Sequence, residues 1–175
     1  TREGISFKIR EGDRVIDACC DGEGEFLTTF QVGKVQYEKR VEGFCLTREV
    51  CVHPSLPMEV HSLRIQNTGE EEKRITIAAS AVPLLCPERD YISHPAFSEL
   101  FIDTKLGEGM AVARRRGRYD EIPEKYLAIY PVCGEEPMEF ETDRAEFMRH
   151  PFVMNGGEGG VIHPILACQT SVVLA

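Results

Sequence analysis

The sequence predicts an all-β protein, an antiparallel sandwich of two sheets, and three observations carry that expectation. Short runs in which apolar and polar residues alternate recur along the chain, as where Ser6 and Lys8 separate Ile5, Phe7 and Ile9; this is the period of a half-buried strand. Glycine- and proline-rich turn signals divide these runs at a spacing of roughly 8 to 12 residues. Helical periodicity is nearly absent, with one convincing helical turn at 142–148.

The first run, 5–9, meets Glu11-Gly12-Asp13, a turn sequence, and returns through 14–19 as a hairpin. Asp21-Gly22-Glu23-Gly24 breaks the chain before a strand over 26–32. Residues 34–40 and 44–52 form the next hairpin about Glu42-Gly43. His53-Pro54-Ser55-Leu56-Pro57 is a stiff connector, since prolines cannot donate to a sheet ladder. The clearest strand pair is 58–66 and 74–82, joined by the loop 67–72 and ended by Pro83. An irregular loop over 84–93 leads to the central hairpin, 97–105 and 110–116, about Gly107-Glu108-Gly109. His94 enters it extended, because the residue before a proline is pushed out of the helical region. After a polar linker (119–124) come a strand over 125–132, a turn at Gly134-Glu135-Glu136-Pro137 and a strand over 138–142. Thr142 or Asp143 then caps the helical turn. A loop with four glycines in six residues (155–160) and a last strand (165–174) complete the chain.

With 175 residues the chain is read as a single β-sandwich domain, 1–175, or a fragment of one from a larger enzyme. No apolar run reaches the roughly 20 residues of a membrane helix, and Thr1-Arg2-Glu3-Gly4 is not a signal sequence. Direct membrane insertion is not expected. A net charge of −9 argues against a nucleic-acid partner, which needs a broad basic face. Seven cysteines, an odd number without a Cys-x-x-Cys spacing, suit reduced thiols in the cytoplasm better than a disulfide framework. Cys19-Cys20 is read as an ordinary pair of residues.

Several motifs together resemble a known family. They are His-Pro-Ala-Phe-Ser-Glu-Leu-Phe-Ile-Asp-Thr at 94–104, Ala113-Arg114-Arg115-Arg116, and Phe140-Glu-Thr-Asp-Arg-Ala-Glu-Phe147. The similarity reaches back through Val60-His-Ser-Leu-Arg-Ile-Gln-Asn-Thr-Gly69 and Arg74-Ile-Thr-Ile-Ala-Ala-Ser80 to Tyr37. It reaches forward to Gly160-Val-Ile-His-Pro-Ile165, where the family usually has Asp before Pro-Ile. In order and spacing these resemble the β-sandwich domain of the inverting glycoside phosphorylases, glycoside hydrolase family 94, and in particular the module of cyclic β-1,2-glucan synthases. The resemblance implies a supersandwich related to galactose mutarotase, of which this chain is an incomplete piece. It also places the catalytic groups in a helical barrel that follows the β-domain.

No catalytic residue, metal site or cofactor is therefore expected within the chain. Four of the five histidines, His53, His94, His150 and His163, precede proline, in no spacing that suits a metal. Glu139, Glu141 and Asp143 alternate onto one strand face, which is read as the wet face of the sandwich. The carbohydrate-binding candidates are His94, Phe97, Arg114 and Arg116. Strand alternation puts Arg114 and Arg116 on one face and Arg115 on the other, so that two guanidinium forks can converge on sugar hydroxyls. The chain has no tryptophan, leaving Tyr91, Tyr119, Tyr126 and Phe152 as loop aromatics for stacking. Asp143 and Arg144 are read as structural, the first as a cap and the second as partner of a strand carboxylate.

The leading reading is thus a non-catalytic carbohydrate-binding or structural β-domain of a glycoside phosphorylase or cyclic β-glucan synthase relative. Its expected partners are a β-glucan or glucooligosaccharide, the helical barrel of the parent protein, and further copies of itself in a homo-oligomer. The alternatives are an autonomous mutarotase-like sugar epimerase, for which no matching catalytic residues are found, and a purely structural assembly module.

Overall fold

A computed structural model describes residues 4–18, 24–117, 124–133 and 138–175. The readings placed on Cys19, Cys20, Tyr119 and the turn at 134–137 fall outside these. The strands are β1 (Ile5–Glu11), β2 (Arg14–Asp17), β3 (Glu25–Gln31), β4 (Lys34–Val41), β5 (Phe44–Val52), β6 (Glu59–Asn67), β7 (Lys73–Ala81), β8 (Ile102–Gly107), β9 (Met110–Arg115), β10 (Lys125–Ile129), β11 (Glu139–Asp143) and β12 (Pro164–Leu174). Three short helices, α1 (Glu88–Ser93), α2 (Pro95–Glu99) and α3 (Arg144–Arg149), interrupt them. The protein is an all-β antiparallel sandwich whose strands form three hydrogen-bonded sheets, ordered β11-β12-β7-β1-β2, β10-β9-β8 and β3-β4-β5-β6.

The chain falls into two compact units, one of Thr1–Ser6 with Thr76–Ser171 and one of Phe7–Ile75 with Val172–Ala175. In the second unit, two-residue turns close the β3–β4 and β4–β5 hairpins, and Gly33 and Gly43 occupy the left-handed positions those turns require, at φ 74° and 83°. Ile9, Ile16, Ala18, Phe44, Leu46 and Ile75 are its buried apolar residues among those described. Lys39 is buried among them and remains solvated by protein: its ammonium donates to the Asp17 carbonyl at 2.6 Å and stands 5.4 Å from the Phe26 ring.

The Arg48 guanidinium lies 5.1 Å from the Phe7 ring and 5.9 Å from that of Tyr37, and its Nη2 is 2.9 Å from His61 Nδ1. Burial holds His61 below its ordinary pKa; the hydrogen bond to Glu59 opposes this and the Arg48 charge adds to it. The folded state therefore binds a proton at His61 less readily than the unfolded chain, whose value is 6.5. This contribution to stability is present above pH 6.5 and is lost as the pH falls through the depressed folded value. Melting temperatures of His61→Gln measured against pH should fall less steeply on acidification below 6.5 than those of the native protein. Parallel curves would contradict this.

In the first unit Ala78, Phe147, Phe152, Ile165 and Ala167 form one core cluster, and Ile102, Ala111, Ala113 and Leu166 another. Several sequence expectations are corrected here. The runs 58–66 and 74–82, expected as a strand pair, lie in different sheets: β6 pairs with β5, whereas β7 stands between β12 and β1. The loop expected over 84–93 contains α1, and residues 97–101, expected as strand, belong to α2 and the turn after it. Pro95 occupies the first helical position, where its missing N–H costs nothing. Phe97 and Phe101, four residues apart, meet edge to face at 5.0 Å, a contact that helical spacing creates. His94 keeps its extended φ of −147° between the two helices. Phe152, read as a loop aromatic, is core, and Tyr91 lies in α1. Strand β10 stops at Ile129, two residues before Pro131, rather than running to 132.

Cys45, Cys51, Cys86, Cys133 and Cys168 are free thiols. Burial pushes the Cys168 thiol up to about 11. No described helix is long and apolar enough to cross a membrane.

Candidate functional site

The site is built on β8, β9 and β10. The turn at Glu108-Gly109 sets the register, placing Asp103 opposite Arg114 and Lys105 opposite Val112, while Tyr126 of β10 pairs with Arg114 from the other side. Alternation sends Ile102, Ala111, Ala113 and Leu127 into the core and leaves the opposite face open. On that face lies a groove of about 320 Å³, lined by Asp103, Lys105, Leu106, Val112, Arg114 and Tyr126. Val112 supplies apolar surface, the charged groups the rim, and Tyr126 an aromatic ring that is 59% exposed, while Leu106 reaches the groove from the core side.

The polar groups form one array. Arg114 Nη2 donates to Asp103 Oδ2 at 3.2 Å, Arg116 Nε lies 3.5 Å from the same oxygen, and Arg114 Nη1 is 3.8 Å from Glu124 Oε1. The Tyr126 hydroxyl donates to Glu124 Oε2. Asp103, then Glu124, raise the Arg114 pKa, so its charge is permanent; the hydrogen bond to Glu124 raises that of Tyr126. Guanidinium donors thus stand among carboxylate acceptors beside an exposed ring, a pattern that can serve both lone pairs and protons of a hydroxyl-rich ligand.

Of the four sequence candidates, Arg114 and Arg116 meet on Asp103, and Arg114 lines the groove. Phe97, 49% exposed on α2, and His94, exposed between the helices, do not line it. Asp103 and Lys105 were not among the candidates. Tyr126, taken for a loop residue, stands on β10. Counting outward from Glu108-Gly109 pairs Asp103 with Arg114, so the sequence held the signal for the acid.

A second polar cluster lies near α2. Glu99, buried, pairs with His163 Nδ1 at 2.8 Å and with Arg144 Nη1 at 3.7 Å. The acid paired with Arg144 is thus on a helix rather than a strand. Asp143 caps α3, its Oδ1 accepting from the Ala145 and Glu146 amides at 2.8 and 3.3 Å.

The three carboxylates read as a wet face separate. Glu139 binds Gln169, Asp143 is the cap, and Glu141 is 1% exposed, not wet at all. The loop 155–160 folds over it, with a parallel bridge between Glu141 and Gly156. Glu141 Oε1 accepts from the Thr142 and Asp143 amides, each at 2.8 Å, and Oε2 from Asn155 at 3.1 Å. Among the described residues no group of three or more His, Cys, Asp or Glu is placed to hold a metal.

Comparison with known proteins decides the family. Residues 15–175 match the supersandwich domain of glycosyl hydrolase 94. The chain belongs to this family. The supersandwich domain is also similar to the cyclic β-(1,2)-glucan synthase NdvB of Rhizobium meliloti (strain 1021), with 28% identity over 127 residues, 70% of this chain. It spans only 4% of that relative's length.

Proposed function

We propose that this supersandwich domain is a non-catalytic part of a cytoplasmic family 94 enzyme, supporting its helical catalytic barrel and contacting a β-glucan through the groove on β8–β10. The observation that carries the reading is the exposed Tyr126 ring beside the Arg114–Asp103 pair and the apolar Val112 side chain. The relative's name points to a β-1,2-linked glucan. An aromatic face can stack on a pyranose ring while the ion-paired rim bonds its hydroxyls.

Neutral hydrogen bonds at an open groove each net only about 0.5–1.5 kcal/mol, so affinity is weak. Titrating the 175-residue chain with linear β-1,2-glucooligosaccharides should shift the NMR signals of Val112, Arg114 and Tyr126. Tyr126→Ala should weaken binding about tenfold, through the loss of one stacked ring. Saturation with no shift in these residues, or equal binding by Tyr126→Ala, removes the groove from the proposal. Release of glucose 1-phosphate from the same oligosaccharides and phosphate would overturn the non-catalytic assignment.

A further inference from the structure

The sheet β3-β4-β5-β6 has two outer edges, and they differ. Strand β6 starts just after Pro57 and carries Glu59 and Arg64, the charges and proline by which natural edges resist pairing. Strand β3, Glu-Phe-Leu-Thr-Thr-Phe-Gln, contains no lysine, arginine or proline, and among the described residues nothing pairs with its outer edge. Its apolar side chains are exposed, Phe30 at 78%, with Phe26 and Leu27 also in solvent.

The register shows which backbone groups are open. Gln31 and Lys34 close the two-residue turn and are therefore a hydrogen-bonded pair; the ladder alternates from there, so Gln31, Thr29, Leu27 and Glu25 bond to β4. The amides and carbonyls of Phe26, Thr28 and Phe30 point outward. We propose that β3 pairs antiparallel with β3 of a second copy about a two-fold axis at Thr28, forming a homodimer through a continuous sheet.

This register is self-complementary. With Thr28 opposite its own copy, Phe26 faces Phe30 of the partner subunit and the converse, so the three outward-pointing residues of each strand become hydrogen-bonded pairs. Two aromatic pairs and a Thr–Thr pair then line one face, the combinations that stabilise neighbouring strands. On the other face Leu27 meets Thr29 of the partner subunit, and Glu25 meets its Gln31. No like charges oppose each other.

The test places charges on the axis. Thr28 is exposed and its amide points away from β4, so Thr28→Lys and Thr28→Glu leave the hairpin intact, checked by circular dichroism. In analytical ultracentrifugation the native 175-residue chain should dimerise, and each variant alone should dimerise about tenfold or more weakly, because like charges directly oppose. An equimolar mixture of the two variants should recover the dimer, since lysine then faces glutamate. A native chain that stays monomeric overturns the proposal. So do variants that dimerise as well as the native chain, or a mixture that stays monomeric.

Discussion

Glu141→Ala is expected to destabilise the protein by about 3 kcal/mol or more, measured by urea unfolding. The carboxylate is buried and accepts three backbone amides, those of Thr142, Asp143 and Asn155. Alanine leaves these donors without an acceptor, and each buried, unsatisfied amide costs about 1–3 kcal/mol. Water entering the vacated space recovers part of that, which sets the lower bound. Glu141→Gln separates charge from shape. Its carbonyl can still accept from Thr142 and Asp143, but its NH₂ then faces the Asn155 amide, donor against donor, and the loss should be about 1–3 kcal/mol. The damage should also be local. The loop 155–160 is held by Asn155 on Glu141, by Gly156 N–H on the Phe140 carbonyl and by mutual bonds between Thr104 and Gly159. Amide exchange in Glu141→Ala should accelerate first at Asn155 and Gly156. A variant as stable as the native protein would show that the three amides bond elsewhere.

Phe44→Ala should cost about 3–5 kcal/mol, the range for deleting a buried phenyl ring and leaving a cavity. Phe44 is 1% exposed at the start of β5, and the Lys73 ammonium stands 4.7 Å from its ring centre while bonding Glu11 at 2.6 Å. Removing the ring therefore takes away a hydrophobic residue and the aromatic face over which that ion pair rests. Phe44→Leu keeps most of the volume and should cost less than about 1.5 kcal/mol. If alanine and leucine cost the same, packing volume is not what Phe44 contributes.

Three hairpins were legible in the sequence because their turns are local: Gly12, Gly43 and Gly109 each fall in a two-residue loop between complementary strands, and one loop fixes the register of both arms. The β3–β4 hairpin at Gly33 was not read, and the pair expected of 58–66 and 74–82 is split between two sheets. The same arithmetic placed Arg114 and Arg116 on one face. What it could not reveal came from contacts distant in sequence or from ambiguous periods. The run 97–101 is apolar enough for either a strand or a helix, and Pro95 together with the Phe97–Phe101 contact decided for helix. Glu141 alternates with Glu139 as a wet residue should, but a register shift between Glu141 and Asp143 and the covering loop 155–160 make it interior. His94 and Phe97 were grouped with the arginines as residues flanking the central hairpin; Phe97 lies instead on α2 with His94 at its start, and neither lines the groove.

The arginine run also acquires a mechanical meaning. Arg115 Nη1 donates to the Ser98 carbonyl at 2.8 Å, Arg116 Nη2 to that of Leu100 at 3.1 Å, and the Arg116 amide to that of Phe101 at 2.9 Å. Three consecutive donors from the end of β9 are thus riveted to the point where α2 unwinds into β8. Sliding β8 by one residue would have to shear all three, in addition to turning its apolar side chains to the wrong face. With Asp103 and Glu124 beside Arg114 and Arg116, two carboxylates offset two of the three guanidinium charges, so that only about one is left to draw anions from a distance. It works as a latch on the helix-to-strand junction, not as an antenna for phosphate.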